Sequence, residues 1–143
     1  MKSILLIIVM SVFMISATLY AEEIEIIANL DFPSNNLSIA TIKEIYMGEK
    51  TTLGDIRIKP YDQKNSKIRR KFLDKVVGTN EDGYNAYWIK KVFQEGGVPP
   101  LAKSSVDDII NSVKEDAGGI GYIWKHDGNA SGIKVLLIIE AGD

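Results

Sequence analysis

The feature that most constrains the fold is a change of hydrophobic period between residues 56 and 77. Ile56-Arg57-Ile58-Lys59 alternates apolar and charged residues, as a half-buried strand does, and Pro60 is expected to end the pairing of that strand. From Ser66 onward the apolar residues recur at helical spacing. They are Ile68, Phe72 and Val76, with Leu73 and Val77 beside them. The pattern predicts a strand that leads through a short loop into a helix with Ser66 at its N-cap.

Such a strand-to-helix junction favours binding of an anion. The first turn of a helix leaves backbone N–H groups without intrahelical partners and carries about half a unit of positive charge. An anion near Ser66, Lys67 and Ile68 would therefore meet donors already aimed at it. Arg69 and Arg70 add positive charge. The competing interpretation is that these basic residues form only the solvated face of a helix.

The first 21 residues predict a secretory signal peptide. Lys2 gives a positive start, Ile4 to Ile15 is an apolar run of the length typical of such peptides, and Ala21 matches a cleavage site. We therefore expect a mature protein of residues 22–143 in the periplasm, and the absence of cysteine fits an exported protein without disulfides. The alternative is an uncleaved membrane anchor, although the run is shorter than the roughly 20 residues of a spanning helix.

The rest of the sequence predicts one α/β domain. Apolar strands are expected at residues 22–30, 117–123 and 133–139, and helices are expected to begin at Ser38, near Glu81 and at Ser104 or Ser105. Strands and helices interleave, which predicts a mostly parallel or mixed sheet between layers of helices. Ligands of open sheets bind where strand ends lead into helices. Two such loops are expected, at residues 31–37 and 62–66.

Composition and motifs exclude several functions. The net charge is −2, so no domain-wide basic surface is available for nucleic acid. The sequence has no nucleophile elbow, Walker loop, dinucleotide fingerprint or paired-histidine helix, and we expect no enzyme activity. His126 is the sole histidine and there is no cysteine, so we expect no metal site and no cofactor.

Five segments then occur in a characteristic order. They are Leu37 to Lys50; Ile58-Lys59-Pro60 with Ser66, Arg69 and Phe72; Tyr87-Trp88 with Phe93; Gly97 with Pro99-Pro100; and Gly118 to Tyr122. Over roughly residues 24–123 they resemble the small phosphate-type substrate-binding proteins of ABC transporters. The resemblance implies a single lobe of the type II periplasmic-binding-protein fold, with a central mixed sheet flanked by helices. It also implies phosphate as ligand and an inner-membrane permease as partner.

The resemblance also implies roles for individual residues. Ser66 matches the hydroxyl that contacts phosphate, the amides of Lys67 and Ile68 lie beside it, and Arg69 matches the arginine that follows. The loop that contains Ser34 and Asn35 would close the site from the other strand end. Asp62 stands where the family commonly has arginine, and it could accept a proton from monoprotonated phosphate.

Two departures from the family pattern support a second hypothesis. The usual Ser-Gly-Thr turn is replaced by Ser66-Lys67-Ile68, and the chain is about half as long as a two-lobed receptor. The same fold could therefore serve as an interaction or sensor module with a degenerate pocket that docks onto an envelope protein.

Overall fold

The computed structural model describes residues 22–64, 66–128 and 131–142. Its strands are β1 (Glu23–Asn29), β2 (Thr52–Leu53), β3 (Ile56–Arg57), β4 (Lys59–Gln63), β5 (Leu101–Lys103), β6 (Gly119–Trp124) and β7 (Ile133–Glu140). Its helices are α1 (Ile39–Tyr46), α2 (Lys67–Phe72), α3 (Glu81–Glu95) and α4 (Val106–Glu115). A π-helical turn, Leu73–Val77, continues α2, and a 3₁₀ turn, Lys125–Asp127, follows β6.

Residues 1–21, where the sequence predicts a signal peptide, lie outside the described residues. Within the described ranges, each helix is too short or too polar to cross a bilayer.

Five strands form one mixed sheet in the order β5-β4-β6-β1-β7. Strand β4 runs parallel to β5 and β6, whereas β1 runs antiparallel to both of its neighbours, β6 and β7. The side chains of Ile24, Ile26 and Ile27 are fully buried, as the continuous apolar run of β1 predicts for an interior strand. Strands β2 and β3 form a separate small hairpin. The predicted mixed α/β sheet is confirmed.

Helices cover both faces of the sheet. Helices α1, α2 and α3 pack on one face, where Tyr46, Phe72 and Trp88 belong to a shared core. Helix α4 packs on the other face through Ile109, Ile110 and Val113. At Gly121 a Cβ atom would lie 2.9 Å from Ile109, so the missing side chain lets α4 approach β6 closely. The result is a three-layer sandwich in which β6, flanked by β4 and β1, is the middle strand of the central layer.

The prediction for Pro60 is wrong. Pro60 lies inside β4 and pairs with Ile120, while Ile56–Arg57 forms the separate strand β3. The amide of Lys59 donates to Gly118 O at 2.8 Å, so the nitrogen of Pro60 faces the other side of the strand. Pairing on that side begins only at Tyr61 with Leu101. The missing N–H of proline therefore removes no hydrogen bond from the sheet.

Candidate functional site

Ser66 is the N-cap of α2, as predicted. Its backbone is extended (φ −144°, ψ 159°), and its Oγ accepts a hydrogen bond from the amide of Arg69 at 3.3 Å. The amide of Arg70 donates to Ser66 O at 3.2 Å. Among the described residues, the amides of Lys67 and Ile68 have no hydrogen-bond acceptor, as expected for a first helical turn. Within the described ranges, these two donors are therefore not used by the protein itself.

A second strand-to-helix junction lies beside the first. Strand β5 ends at Lys103, and Ser105 caps α4 by accepting a hydrogen bond from the amide of Asp108 at 3.1 Å. The amide of Lys64 donates to Lys103 O at 3.2 Å, which joins the two loops. Because α2 and α4 lie on opposite faces of the sheet, the loops diverge after β4 and β5, and ligands of open α/β sheets bind at such points of divergence. We call this place, defined by residues 64, 66–68 and 103–105, the β4–β5 crevice.

The β4–β5 crevice is bordered by three lysines. Lys64 and Lys67 are exposed, and the Nζ of Lys103 lies 5.5 Å from the ring centroid of Tyr61. Lys67 Nζ is 2.8 Å from Glu22 Oε1, but both side chains are about half exposed, so water weakens this ion pair. The first turn of α4 contributes two opposing acidic side chains, Asp107 and Asp108.

Arg69 lies outside this crevice, in a buried polar network. Its Nε donates to Asp62 Oδ2 at 3.1 Å, its Nη1 to Glu81 Oε1 at 3.3 Å and its Nη2 to Asn85 Oδ1 at 3.2 Å. Burial alone would lower the pKa of Arg69, but the charge of Asp62 and the bonds to Asp62 and Glu81 outweigh it and raise the pKa. Arg69 therefore stays charged, and its side chain is held by protein acceptors.

Asp62 has partners on both carboxylate oxygens. Oδ2 accepts from Arg69, while Oδ1 accepts from the Tyr122 hydroxyl and, at 2.8 Å, from the amide of Gln63. Burial and the nearby charge of Asp62 raise the pKa of Tyr122, which keeps that hydroxyl protonated as a donor. A proton transfer from phosphate to Asp62 stays a prediction, and these protein donors already stabilise the carboxylate.

Ser34 and Asn35 do not join Ser66, so the expectation that their loop closes the site is wrong. Ala28 near the end of β1 and Pro60 near the start of β4 both pair with Ile120, so the carboxyl ends of β1 and β4 lie at opposite ends of the sheet. Ser34 Oγ donates to Asn36 O, and Asn35 Oδ1 accepts from Lys134 Nζ at 2.9 Å. These contacts hold the loop at the end of the sheet opposite the crevice.

An apolar groove of about 730 Å³ lies between α3 and β5. We call it the α3–β5 groove. Asp62, Arg69 and Asn85 contribute to its lining. The other lining residues are Tyr84, Trp88, Ile89, Val92, Phe93, Pro99, Pro100 and Ala102. Of these side chains on α3, Tyr84 and Trp88 are buried, whereas Val92 is 43% exposed.

Sequence reasoning missed the second wall of the crevice. The capping serine at residue 105 was visible as a helix start, but β5 was not. That strand has three residues and directly follows Pro99-Pro100, so neither length nor alternation marks it as a strand. One signal could have located β5. Strand β4 pairs with β6 on one side, and a further strand was required on the side that the nitrogen of Pro60 faces.

Comparison with known proteins identifies the fold. No family profile and no curated protein matches the sequence. Among solved structures, the chain is similar to a Clostridium perfringens protein described as a phosphate ABC transporter substrate-binding protein and solved with bound phosphate. The TM-score is 0.65 at 20% identity, over 80% of this chain and 44% of that chain.

An ABC-type phosphate transport receptor from Vibrio cholerae gives a TM-score of 0.61 at 17% identity, over 80% of this chain and 45% of the receptor. PstS from Borrelia burgdorferi gives 0.63 at 14% identity, over 80% and 46% respectively. The chain therefore spans less than half the length of these proteins, and none of the three is described as an enzyme. At these identities the likeness establishes the architecture: the chain has a single-lobe periplasmic-binding-protein fold of the kind seen in phosphate ABC transporter substrate-binding proteins.

Proposed function

We propose that this protein is an exported, periplasmic binding protein for an oxyanion, most simply phosphate, which binds in the β4–β5 crevice. The observation that carries the proposal is the pairing of two serine-capped helix starts at neighbouring strand ends, where the amides of Lys67 and Ile68 have no acceptor in the part of the chain that the structure describes. The fold shared with a protein solved with bound phosphate supports it. An inner-membrane ABC permease is the partner that this role requires.

In this proposal the anion is held mainly by backbone and hydroxyl donors. The Ser66 hydroxyl and the amides of Lys67 and Ile68 contact it directly, while Lys64 and Lys103 supply charge from either side of the crevice. Charge-assisted hydrogen bonds of this kind contribute about 1.5–3 kcal/mol each. Arg69 acts as a positioning residue, since its amide bonds Ser66 Oγ and its side chain ties the start of α2 to Asp62.

A proline substitution can remove one backbone donor selectively. Lys67 is the first helical residue, where proline is tolerated, and the extended backbone of Ser66 is compatible with a following proline. We expect calorimetric titration of residues 22–143 with phosphate to give measurable heat. We also expect Lys67→Pro to bind about tenfold more weakly than Lys67→Ala, because both variants lack the ammonium group but only the proline variant lacks the amide. Circular dichroism controls for folding.

Two results would contradict this function. If Lys67→Pro and Lys67→Ala bound phosphate with equal affinity, the amide of Lys67 would not contact the anion. The absence of heat with both phosphate and sulfate at millimolar concentration would end the proposal.

The second candidate is an interaction or sensor module that docks onto an envelope protein. It is favoured by one specific observation: the guanidinium of Arg69, which the family resemblance assigns to the anion, is bound to three protein acceptors instead. The two functions can be distinguished by expressing variants in a strain that lacks the gene and measuring whether they restore its phenotype. Phe93 of α3 is 90% exposed and is therefore accessible to a docking protein. If Lys67→Pro restores the phenotype as well as Lys67→Ala does, whereas Phe93→Glu does not, the module is favoured over phosphate capture.

A further inference from the structure

A second cavity, of about 470 Å³, lies at the start of β4 beside the β2–β3 hairpin. Four basic residues contribute to its lining: Lys50, Arg57, Lys59 and Lys91. Among the described residues that line this cavity, none is acidic. We call it the hairpin pocket. Its volume is typical of a small-molecule site, and its charge favours an anion.

The β2–β3 hairpin brings these like charges together. The amide of Ile58 donates to Thr51 O at 2.9 Å, which continues the pairing of the two strands. Lys50 precedes Thr51 and therefore lies next to the segment that carries Arg57 and Lys59. Like charges on neighbouring strands repel each other, so an anion between them would relieve the repulsion.

Two of the four cations have acidic partners that do not line the pocket. Lys59 Nζ lies 2.6 Å from Asp116 Oδ2, and Lys91 Nζ lies 3.1 Å from Glu95 Oε2. The side chains of Lys59 and Glu95 are more than half exposed, so water weakens both ion pairs.

The other two cations, Lys50 and Arg57, are unpaired. Neither side chain has an ion pair or a hydrogen bond in the part of the chain that the structure describes. The bond and the charge of Asp116 raise the pKa of Lys59, whereas the nearby charge of Arg57 lowers it. The positive charge of Arg57 therefore acts on its neighbours in this pocket and is not offset by a carboxylate of its own.

The apolar part of the lining is preformed. Ile45, Ile58 and Trp88 line the pocket and are buried in the core. A Cβ atom at Gly48 would lie 2.5 Å from Cη2 of Trp88, and a Cβ atom at Gly97 would lie 3.3 Å from Cζ3. Both glycines therefore allow the backbone to approach the indole ring closely and fix its position. A ligand would meet a rigid apolar wall next to the two unpaired cations.

The end of α1 lies beside the pocket, where the negative end of the helix dipole would by itself oppose an anion. Its terminal carbonyls are already bonded to side chains of α3. Tyr46 O accepts from the Tyr84 hydroxyl at 2.7 Å and from Trp88 Nε1 at 3.2 Å, and Met47 O accepts from the Tyr87 hydroxyl at 2.6 Å. These donors reduce the opposition of the helix end to a bound anion.

We propose that the hairpin pocket binds a small organic carboxylate, with its charged group at Lys50 and Arg57 and its apolar part against Trp88. A guanidinium can donate two parallel N–H bonds to a carboxylate, and the apolar wall favours an organic anion over an inorganic one. The inference does not depend on phosphate binding. The pocket shares no residue with the β4–β5 crevice, which lies at the other end of β4.

Calorimetric titration of residues 22–143 with 3-phenylpropionate tests the proposal. Two control ligands separate the contributions: 3-phenylpropionamide keeps the apolar part without the charge, and acetate keeps the charge without the apolar part. We expect saturable binding of 3-phenylpropionate and at least about tenfold weaker binding of both controls.

Variants locate the site. Lys50→Gln and Arg57→Gln should each raise the dissociation constant for 3-phenylpropionate about fivefold. Lys90→Gln is the matched control, because it removes the same charge from an exposed lysine of α3 that does not line the pocket. Lys67→Pro, which is designed to weaken phosphate binding, should also leave this constant unchanged. Circular dichroism verifies that each variant folds.

Several results would overturn the proposal. They are the absence of heat at millimolar 3-phenylpropionate, equal binding of the acid and its amide, and a loss of affinity in Lys90→Gln as large as in Arg57→Gln. Weaker binding in Lys67→Pro would place the carboxylate in the β4–β5 crevice and would also overturn it. Phosphate is titrated separately, so failure here leaves the phosphate proposal to its own measurement.

Discussion

Two polar regions lie next to each other at the end of β4, and they differ in how their groups are paired. In the buried network, Arg69 and Asp62 bond to each other and to further protein groups. In the β4–β5 crevice, the amides of Lys67 and Ile68 have no acceptor among the described residues, and Lys64 is exposed. A buried charge must be compensated within the fold, whereas an exposed donor is satisfied by water until a ligand replaces it. Proximity to a strand-to-helix junction therefore does not by itself leave a side chain free to contact a ligand.

The largest effect should come from breaking the buried network. Arg69→Met leaves Asp62 buried without its cation, and we expect the free energy of unfolding to fall by about 3–5 kcal/mol. The double variant Asp62→Asn with Arg69→Met should recover part of this loss, since it removes both charges. Urea denaturation of both variants measures the effect. A single variant of near-normal stability that had lost phosphate binding would instead make Arg69 a ligand contact.

Removing the two helix caps separates stability from binding. Ser66→Ala and Ser105→Ala should each lower the free energy of unfolding by about 1 kcal/mol, because each hydroxyl satisfies one first-turn amide. Only Ser66 is proposed to contact the anion, so phosphate affinity should fall more in Ser66→Ala than in Ser105→Ala. Calorimetry and urea denaturation on the same samples compare them. If both variants lost the same phosphate affinity, Ser66 would not be distinguished from Ser105 as the serine that contacts the anion.

A second buried carboxylate provides a smaller, pH-dependent contrast with Asp62. Glu25 is 8% exposed, and its Oε2 has no hydrogen-bond partner among the described residues. Burial raises the pKa of Glu25, Lys125 opposes this and Glu23 adds to it. When folding raises the pKa of a carboxyl group, ionisation of that group at higher pH lowers the free energy of unfolding. This loss disappears at low pH, where the carboxyl group is protonated in both the folded and the unfolded state.

Glu25→Gln should therefore increase the free energy of unfolding at pH 7 by up to about 1 kcal/mol. The gain should shrink as the pH falls toward the ordinary pKa of glutamate, about 4.3. Urea denaturation at several pH values measures it. A gain that does not depend on pH would show that ionisation of Glu25 is not the cause.

The smallest effect is expected at the opposite end of the sheet. Ser34→Ala and Asn35→Ala should leave phosphate affinity unchanged, because their loop lies far from the crevice. Stability should change by no more than about 0.5 kcal/mol, as is usual for surface substitutions. Any clear loss of phosphate affinity in the same titration would return this loop to the site.

Local features of this fold could be predicted from the sequence. The N-cap at Ser66 and the helix starts at Ser38 and near Glu81 all depend on residues a few positions apart.

Features that depend on distant partners could not be predicted in this way. The apolar run of β1 is the same whichever direction its neighbours run, so the sequence did not reveal that Ser34 and Asn35 lie at the other end of the sheet from Ser66. The pairing of Pro60 likewise depends on which side of β4 has a partner. The sequence also did not reveal that the guanidinium of Arg69 is held by protein acceptors, because Glu81 and Asn85 lie on another helix.

The position of β1 between β6 and β7 has a consequence for how the chain acquires its structure. Among the described residues, strand β1 pairs with segments about a hundred residues further along, from Gly119 to Glu140. Until those segments have been synthesised, the row of isoleucines in β1 has no neighbouring strand, so this half of the sheet cannot close. Loop closure over such distances slows folding, and a nascent chain would expose this apolar strand while all of the intervening helices are being made.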